Sequence, residues 1–357
     1  MELLSNIFAA YWLGIPIWAW CGFIVFIIGL LALDLGLFHR APHEVGFAES
    51  LKMAGFYVAI AIAFGAVVWW LYYASPPAYC LDPAIKNAAS DSARAWTAVQ
   101  LYYTGYVVEY TLSMDNVFVI SLIFTYFAVP RALQHRVLFW GILGVIVLRG
   151  IMIGLGVVLI SKFEWVLYIF AVLLIFTGIK MLRPADGEKN IGDNPAIRFL
   201  RRHLRVTDTF HGSRFFVRLP SPRSGKLYTY ATPLFLALVS IEIIDVIFAV
   251  DSVPAIFAIT QEPFIIFTSN IFAIIGLRTL YFTLSATVHR FYYLKYALAL
   301  VLIFIGTKIF FGDFVFDGKV PPLISLTVTL GLIAGGILYS LWKTRGDVDK
   351  SAVTIKE

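Results

Sequence analysis

Charge is scarce in this sequence. Only 14% of the 357 residues are Asp, Glu, Lys or Arg, against roughly 25% in soluble globular proteins. With 60% hydrophobic residues, a water-soluble fold is excluded. Cysteine is scarcer still. Cys21 lies in an apolar run, Cys80 lies in a loop, and no CxxC occurs, which excludes a disulfide framework and a thioredoxin-type motif. The opening stretch, MELLSNIFAAYWLGIPIWAW, has no basic segment ahead of its apolar one. It reads as a short tail entering a retained helix, not as a cleaved signal peptide.

What the chain has instead is apolar runs of membrane length, about 20 residues each. Nine qualify: 17–38, 54–74, 97–123, 135–160, 163–182, 231–259, 264–287, 293–312 and 322–342. The fold class is therefore an all-α polytopic membrane protein with about nine transmembrane helices. Aromatic residues make up 16%, many near segment ends, as in interfacial belts.

The net charge of +6 does not point to nucleic acid, because the positive residues gather in the loops. Segment 183–229 holds ten Lys and Arg against four acids. The positive-inside rule places it in the cytoplasm. Nine spans then put the N-terminus outside and the C-terminus in the cytoplasm. Lys86 and Arg94 in loop 75–96 run against that pattern. Within the basic segment, RFLRRHLRVTD has the pattern of a short amphipathic helix suited to an anionic lipid surface, or of a solvated loop.

An internal repeat organises the middle of the chain. EYTLSMDN carries Glu109 and Asp115; DVIFAVDSVP carries Asp245 and Asp251 at the same spacing, offset by 136 residues. LIFTGIK (174–180) matches LIFIGTK (302–308) with an offset of 128, and Arg149 matches Arg278 with an offset of 129. Spans 3–5 thus repeat as spans 6–8. Three is an odd number, so the two units lie inverted in the membrane, an architecture of secondary transporters whose sites sit where the repeats meet. The resulting division is 1–96 (two spans and an outer loop), 97–182 (first unit), 183–229 (basic loop), 230–312 (second unit) and 313–357 (last span and tail).

The acids are the unusual feature of these spans, since each costs at least about 2.5–3.5 kcal/mol at a helix centre. In the second unit Glu242, Asp245 and Asp251 share one helix, and Pro254 should open the backbone near Val250 and Ser252. The first unit offers Glu109, Asp115 and Asn116 without a proline, so a weaker break is expected there. Tyr106 stands where Glu242 stands in the repeat. Five ionised acids against Arg149 and Arg278 leave a negative remainder that invites a divalent cation, protons, or both. The arginines can equally serve to pair acids and hold helices together. No His or Cys lies in either acidic span, so all donors are oxygen, which suits Mg, Ca or Mn better than Zn, Cu or Ni. Asp34 in LALDLGLF is a further span acid, either on an exit path or at interfacial water. The histidines, and the acids Asp82, Asp91 and Glu262, fall in loops and read as solvated.

At these residues the chain resembles a known family. MDNVFV paired with IDVIFAVDSVPAIFAIT is similar to the TerC family of membrane proteins, and within it to the Alx branch. YFAVPRALQHRVLFWGILGVIVLRGIMI, PFIIFTSNIFAIIGLR and LKYALALVLIFIGTK extend the likeness over nearly the whole chain. The resemblance implies manganese export across the inner membrane. It also implies that Glu109, Asp115, Asn116, Glu242, Asp245, Asp251 and Ser252 form the metal path; the residues themselves offer Asp34 for the path and Arg149 and Arg278 for charge balance. On this reading the bilayer, a divalent cation and exchanging protons are the partners. No permanent cofactor, nucleic acid or enzymatic activity is expected, and no protein partner is identified. An intramembrane aspartyl protease would need a GxGD-type segment, absent from both acidic spans. The alternative is a membrane scaffold that assists insertion or metalation of other proteins.

Overall fold

The computed structural model describes residues 10–33, 47–163, 165–182, 205–207, 209–220, 226–284, 293–315 and 320–343. Asp34 lies outside them, and so do the side chains of Asp115, Asp251 and Arg278. A small hairpin, β1 (Tyr11–Trp12) and β2 (Ile15–Pro16), precedes the helices. These are α1 (Ile17–Leu33), α2 (Phe47–Ala74), α3 (Asp91–Leu112), α4 (Met114–Tyr126), α5 (Arg131–Lys162) and α6 (Val166–Leu182). A second hairpin, β3 (Phe216–Pro220) and β4 (Leu227–Ala231), leads into α7 (Pro233–Ile259), α8 (Pro263–Leu284), α9 (Leu294–Val315) and α10 (Pro322–Lys343). Prolines open α7, α8 and α10, where a missing N–H breaks no ladder bond. Ser90 caps α3 by accepting from the Ala93 N–H at 3.1 Å.

The protein is an all-α polytopic membrane protein. Among the described residues, four helices are long and apolar enough to cross a bilayer: Ala48–Ala74, Arg131–Lys162, the first part of α7 and Pro322–Lys343. α1, α6 and the start of α8 are shorter apolar helices. Large apolar side chains line the outer surface, among them Leu155 and Phe176, each 65% exposed. In water such a surface would aggregate; against lipid tails it is the expected coat.

The two units pack about a pseudo-two-fold axis. α3 packs on α8, and its counterpart α7 packs on α5. The axis shows best where α6 meets α9. A Cβ on Gly178 would lie 2.8 Å from the Ala299 carbonyl oxygen, and one on Gly306 would lie 2.7 Å from that of Ala171. Gly306 is the repeat partner of Gly178, and Ala299 that of Ala171, each offset by 128. The later residue of one helix meets the earlier residue of the other, so the helices are antiparallel and the units inverted. Small residues let two backbones approach closely inside a membrane, where dispersion is the main attraction.

Two expectations are corrected. Helix α7 runs through Pro254 without interruption. One ladder bond is lost, but Ala255, Ile256 and Phe257 are buried and hold the final turn by packing. The break falls instead in the first acidic span, which is cut at Ser113 into α3 and α4. Ser113 has φ −75° and ψ −6°, and its N–H is shared between the Glu109 and Thr111 carbonyls. Its hydroxyl donates to Glu109 Oε1 at 3.1 Å, and Thr111 Oγ1 donates back to the Val107 carbonyl at 2.6 Å. The Thr111 bond back to the preceding turn favours a bend without proline, although the same bond at Thr104 and Ser240 leaves α3 and α7 unbroken. Of RFLRRHLRVTD, residues 198–204 and 208 lie outside the described residues. Its described part pairs as a β-bridge, Thr207 N–H donating to the Ala231 carbonyl at 2.9 Å.

Candidate functional site

Arg149 on α5 is 1% exposed and collects groups from both repeat units. Its Nη1 lies 2.7 Å from Glu109 Oε1 on α3. The same nitrogen donates to Ser252 Oγ on α7 and to Asn270 Oδ1 on α8, each at 2.8 Å. Its Nε faces Asp245 Oδ2 on α7 at 3.5 Å. That distance is an ion pair, too long for a good hydrogen bond, and both atoms lack a hydrogen-bond partner. Glu109 and Asp245 are the repeat-equivalent acids, so the two acidic motifs converge on one guanidinium.

Glu109 is itself 1% exposed. Its Oε1 is held by Arg149 and Ser113, while its Oε2 has no hydrogen-bond partner. Glu242 stands one turn before Asp245 and lies against Gly141 and Gly144 of α5, with neither carboxylate oxygen hydrogen-bonded. Any side chain at Gly144 would collide with it. Gly276 of α8 instead packs against the Tyr110 ring, with the hydroxyl of Tyr106, the repeat counterpart of Glu242, further off. A cavity runs from Ser113, Asn116 and Asp245 toward Tyr281, walled by Ile120, Leu138, Ile241 and Leu277. A second cavity opens at the other end of α5 and α7, beside Val157, Thr260, Gln261 and Lys308. Ile153, Val253, Ile256 and Phe257 form an apolar cluster between the arginine layer and that cavity.

The expected ligand set is therefore partly assembled. Glu109, Asp245, Ser252 and Asn116 stand around Arg149 or along the cavity below it, and Glu242 is adjacent. Asp115 begins α4 and Asp251 lies in α7, but their side chains lie outside the described residues, like that of Arg278. Among the described residues, no group of three or more His, Cys, Asp and Glu is gathered for a metal ion. The donors present fit a hard cation. All are oxygen, and Glu109 Oε2 and Asp245 Oδ2 are buried without a hydrogen bond. Asn270 escaped the reading of the sequence, although TSN inside an apolar run was a visible signal. Its amide is oriented by Nδ2 donating to the Ile266 carbonyl at 2.9 Å.

Two loop acids are also corrected. Asp82 is 1% exposed and Glu262 0%, so neither is solvated. Asp82 Oδ2 accepts from Thr260 Oγ1 at 2.7 Å and from the Gln261 N–H at 2.8 Å. Glu262 Oε2 accepts from the backbone N–H groups of Leu81 and Asp82 at 2.9 and 3.1 Å. The α2–α3 and α7–α8 connections are stitched together by these carboxylates. Burial pushes the Glu262 carboxyl up to about 7, against the two backbone donors that lower it.

The model of the integral membrane protein TerC family matches residues 94–348. An uncharacterized membrane protein of Myxococcus xanthus, STKORF319, is 44% identical over 91% of this chain and 92% of its own. The "Putative membrane-bound redox modulator Alx" of Escherichia coli (strain K12) is 44% identical over 92% of this chain and 95% of its own. An uncharacterized membrane protein of Rickettsia bellii is 45% identical over 90% of this chain and 97% of its own. No solved structure matches.

Proposed function

Because the chain belongs to the TerC family of integral membrane proteins, we propose that it is a secondary transporter exporting divalent manganese across the inner membrane in exchange for protons. The observation that carries this reading is the meeting of Glu109 and Asp245 on Arg149, at the interface of two inverted units. Transporters of this architecture place their site there, and ionisable groups are kept at such depth for a function. Oxygen-only donors favour manganese, calcium or magnesium over softer metals. The family resemblance favours manganese among the three.

The basic segment 183–229 leads directly into α7, so this reading makes the Tyr281 end of the first cavity cytoplasmic. The ion enters there, meets Asn116, Ser113 and Asp245, and passes the Arg149 layer. The apolar cluster around Phe257 closes the route to the outer cavity. Arg94, the awkward positive charge in the outer loop, is 4% exposed and donates to the Tyr72 carbonyl at 2.9 Å. It is spent on a helix C-terminus, which reconciles it with an outer location. The redox function in the relative's name finds poor support in thiols. Cys21 and Cys80 are both free, and burial pushes the Cys80 thiol up to about 12, leaving little nucleophilic thiolate.

Manganese flux into liposomes containing only the purified protein tests the proposal. Flux driven by a pH gradient supports it, whereas absent flux from folded protein leaves the scaffold reading in its place.

A further inference from the structure

The contacts of Arg149 do not look like those of an arginine kept only to hold helices together. Such a residue usually grips a carboxylate with two parallel N–H groups. Among the described residues, Glu109 is met by Nη1 and Asp245 by Nε. Nη1 carries two hydrogens but has three acceptors within 2.8 Å: Glu109 Oε1, Ser252 Oγ and Asn270 Oδ1. Ser252 and Asn270 alone satisfy both hydrogens, so the bond to Glu109 can be surrendered without stranding the nitrogen. On the other arm, Nε and Asp245 Oδ2 already stand apart without a hydrogen bond, and Glu109 Oε2 has no partner. Among the described residues, Nη1 is held by two neutral oxygens beside Glu109, its shortest contact, while Nε faces Asp245 across 3.5 Å.

We propose that Arg149 is a tethered counter-cation that holds Glu109 and Asp245 between transport cycles and yields them to the divalent ion. The inference rests on the transport reading above. A divalent ion and a guanidinium cannot share these oxygens, because two like charges at this depth repel with little screening. The ion therefore takes the acids as Arg149 withdraws onto Ser252 and Asn270. When Arg149 returns, it expels the ion, so tight capture does not become a trap. Between cycles the acids are never left ionised and unpaired, which would be costly at this depth.

The test measures Mn2+ binding, by thermal stabilisation of the purified full chain, together with Mn2+ flux in liposomes. Arg149→Gln removes the competitor. It should bind Mn2+ about ten-fold more tightly and export it about ten-fold more slowly, since bound ion is no longer displaced. Asn270→Leu removes one neutral acceptor, drives Arg149 onto Glu109, and should weaken Mn2+ binding roughly three-fold. Opposite signs at two contacting residues are not expected of a merely structural pair. If Arg149→Gln does not fold, Arg149→Lys decides. Lysine keeps the charge but has one nitrogen, so it cannot face Asp245 while holding Ser252 and Asn270, and the counter-cation role predicts tighter Mn2+ binding than wild type. Unchanged or weaker binding by whichever of these arginine variants folds overturns the inference while leaving wild-type transport intact. Absent binding and flux in the wild type overturn the transport reading itself, and this inference with it.

Discussion

Glu109 and Asp245, equivalent positions of two repeat units, meet the same guanidinium, lying 2.7 and 3.5 Å from Arg149. This explains how a lipid-embedded span can keep a carboxylate. Each acid sees a cation inside the protein, and the charge is shared between the units instead of being neutralised within one. The pairing is incomplete, because buried oxygens of both acids lack hydrogen bonds, and buried polar groups left this way are rare in folded proteins.

The pairing should show as coupling. Glu109→Leu alone takes from a buried guanidinium its nearest acid among the described residues and should destabilise the protein by about 3–5 kcal/mol. Adding Arg149→Met should recover part of that loss, giving a double-mutant interaction of about 2 kcal/mol. Thermal unfolding of the two single variants and the double variant in detergent measures it. Additive losses would mean that the two residues do not interact.

The antiparallel contact of α6 with α9 makes a symmetric prediction. Gly178→Ala and Gly306→Ala each drive a methyl group against a facing carbonyl. Each should lower stability by a similar amount, about 1–3 kcal/mol, as overpacking does. Gly29→Ala on α1, where a Cβ meets nothing within 4 Å, is the control and should be neutral or slightly stabilising. Equal melting temperatures for all three variants would contradict the close approach.

The stitch between the α2–α3 and α7–α8 connections should depend on pH. The folded protein raises the Glu262 carboxyl from 4.5 to about 7. The proton is bound more tightly in the fold than in the unfolded chain. This stabilisation is complete below about pH 4.5 and is lost as pH rises through about 7, an effect of about 3 kcal/mol at most. Asp82 and Tyr72 face the same carboxyl, with Cys80 nearby. Glu262→Gln mimics the neutral acid, so its melting temperature should stay flat between pH 5 and 8 while that of the wild type falls. Parallel pH profiles for the two proteins would remove Glu262 as the source.

Asp115 and Asp251 share the motif spacing of Glu109 and Asp245, and the account gives them the ion itself. Asp115→Asn and Asp251→Asn should each abolish manganese export with little loss of folded protein, because the amide is nearly isosteric. The double variant should be no worse than either single one, as for residues acting as a unit. Flux and melting temperature measured on the same three samples decide it. A folded single variant that still exports would take that residue out of the site.

How much of this was readable follows from the range of the interactions. The repeat, its inversion and the acids are written in local patterns, so spacing alone located Glu109, Asp245 and Arg149. The alternative that the arginines pair with acids was correct for Arg149. The break at Ser113 was not readable, because proline is the louder signal, and the packing that holds α7 together past Pro254 comes from other helices. Asn270 joins Arg149 across 121 residues and Glu262 joins Leu81 across 181, separations at which no local pattern survives. Loop acids look solvated until the loop that covers them is known.

Manganese flux through the two acids that meet on Arg149 tests the central claim most directly. Wild type, Glu109→Gln and Asp245→Asn are reconstituted alone into liposomes, with melting temperatures taken on the same samples and Zn2+ run beside Mn2+. The account predicts Mn2+ flux exceeding Zn2+ flux in the wild type, and a loss of about a hundred-fold or more in both folded variants. Wild-type flux undiminished in folded Glu109→Gln and Asp245→Asn would contradict it.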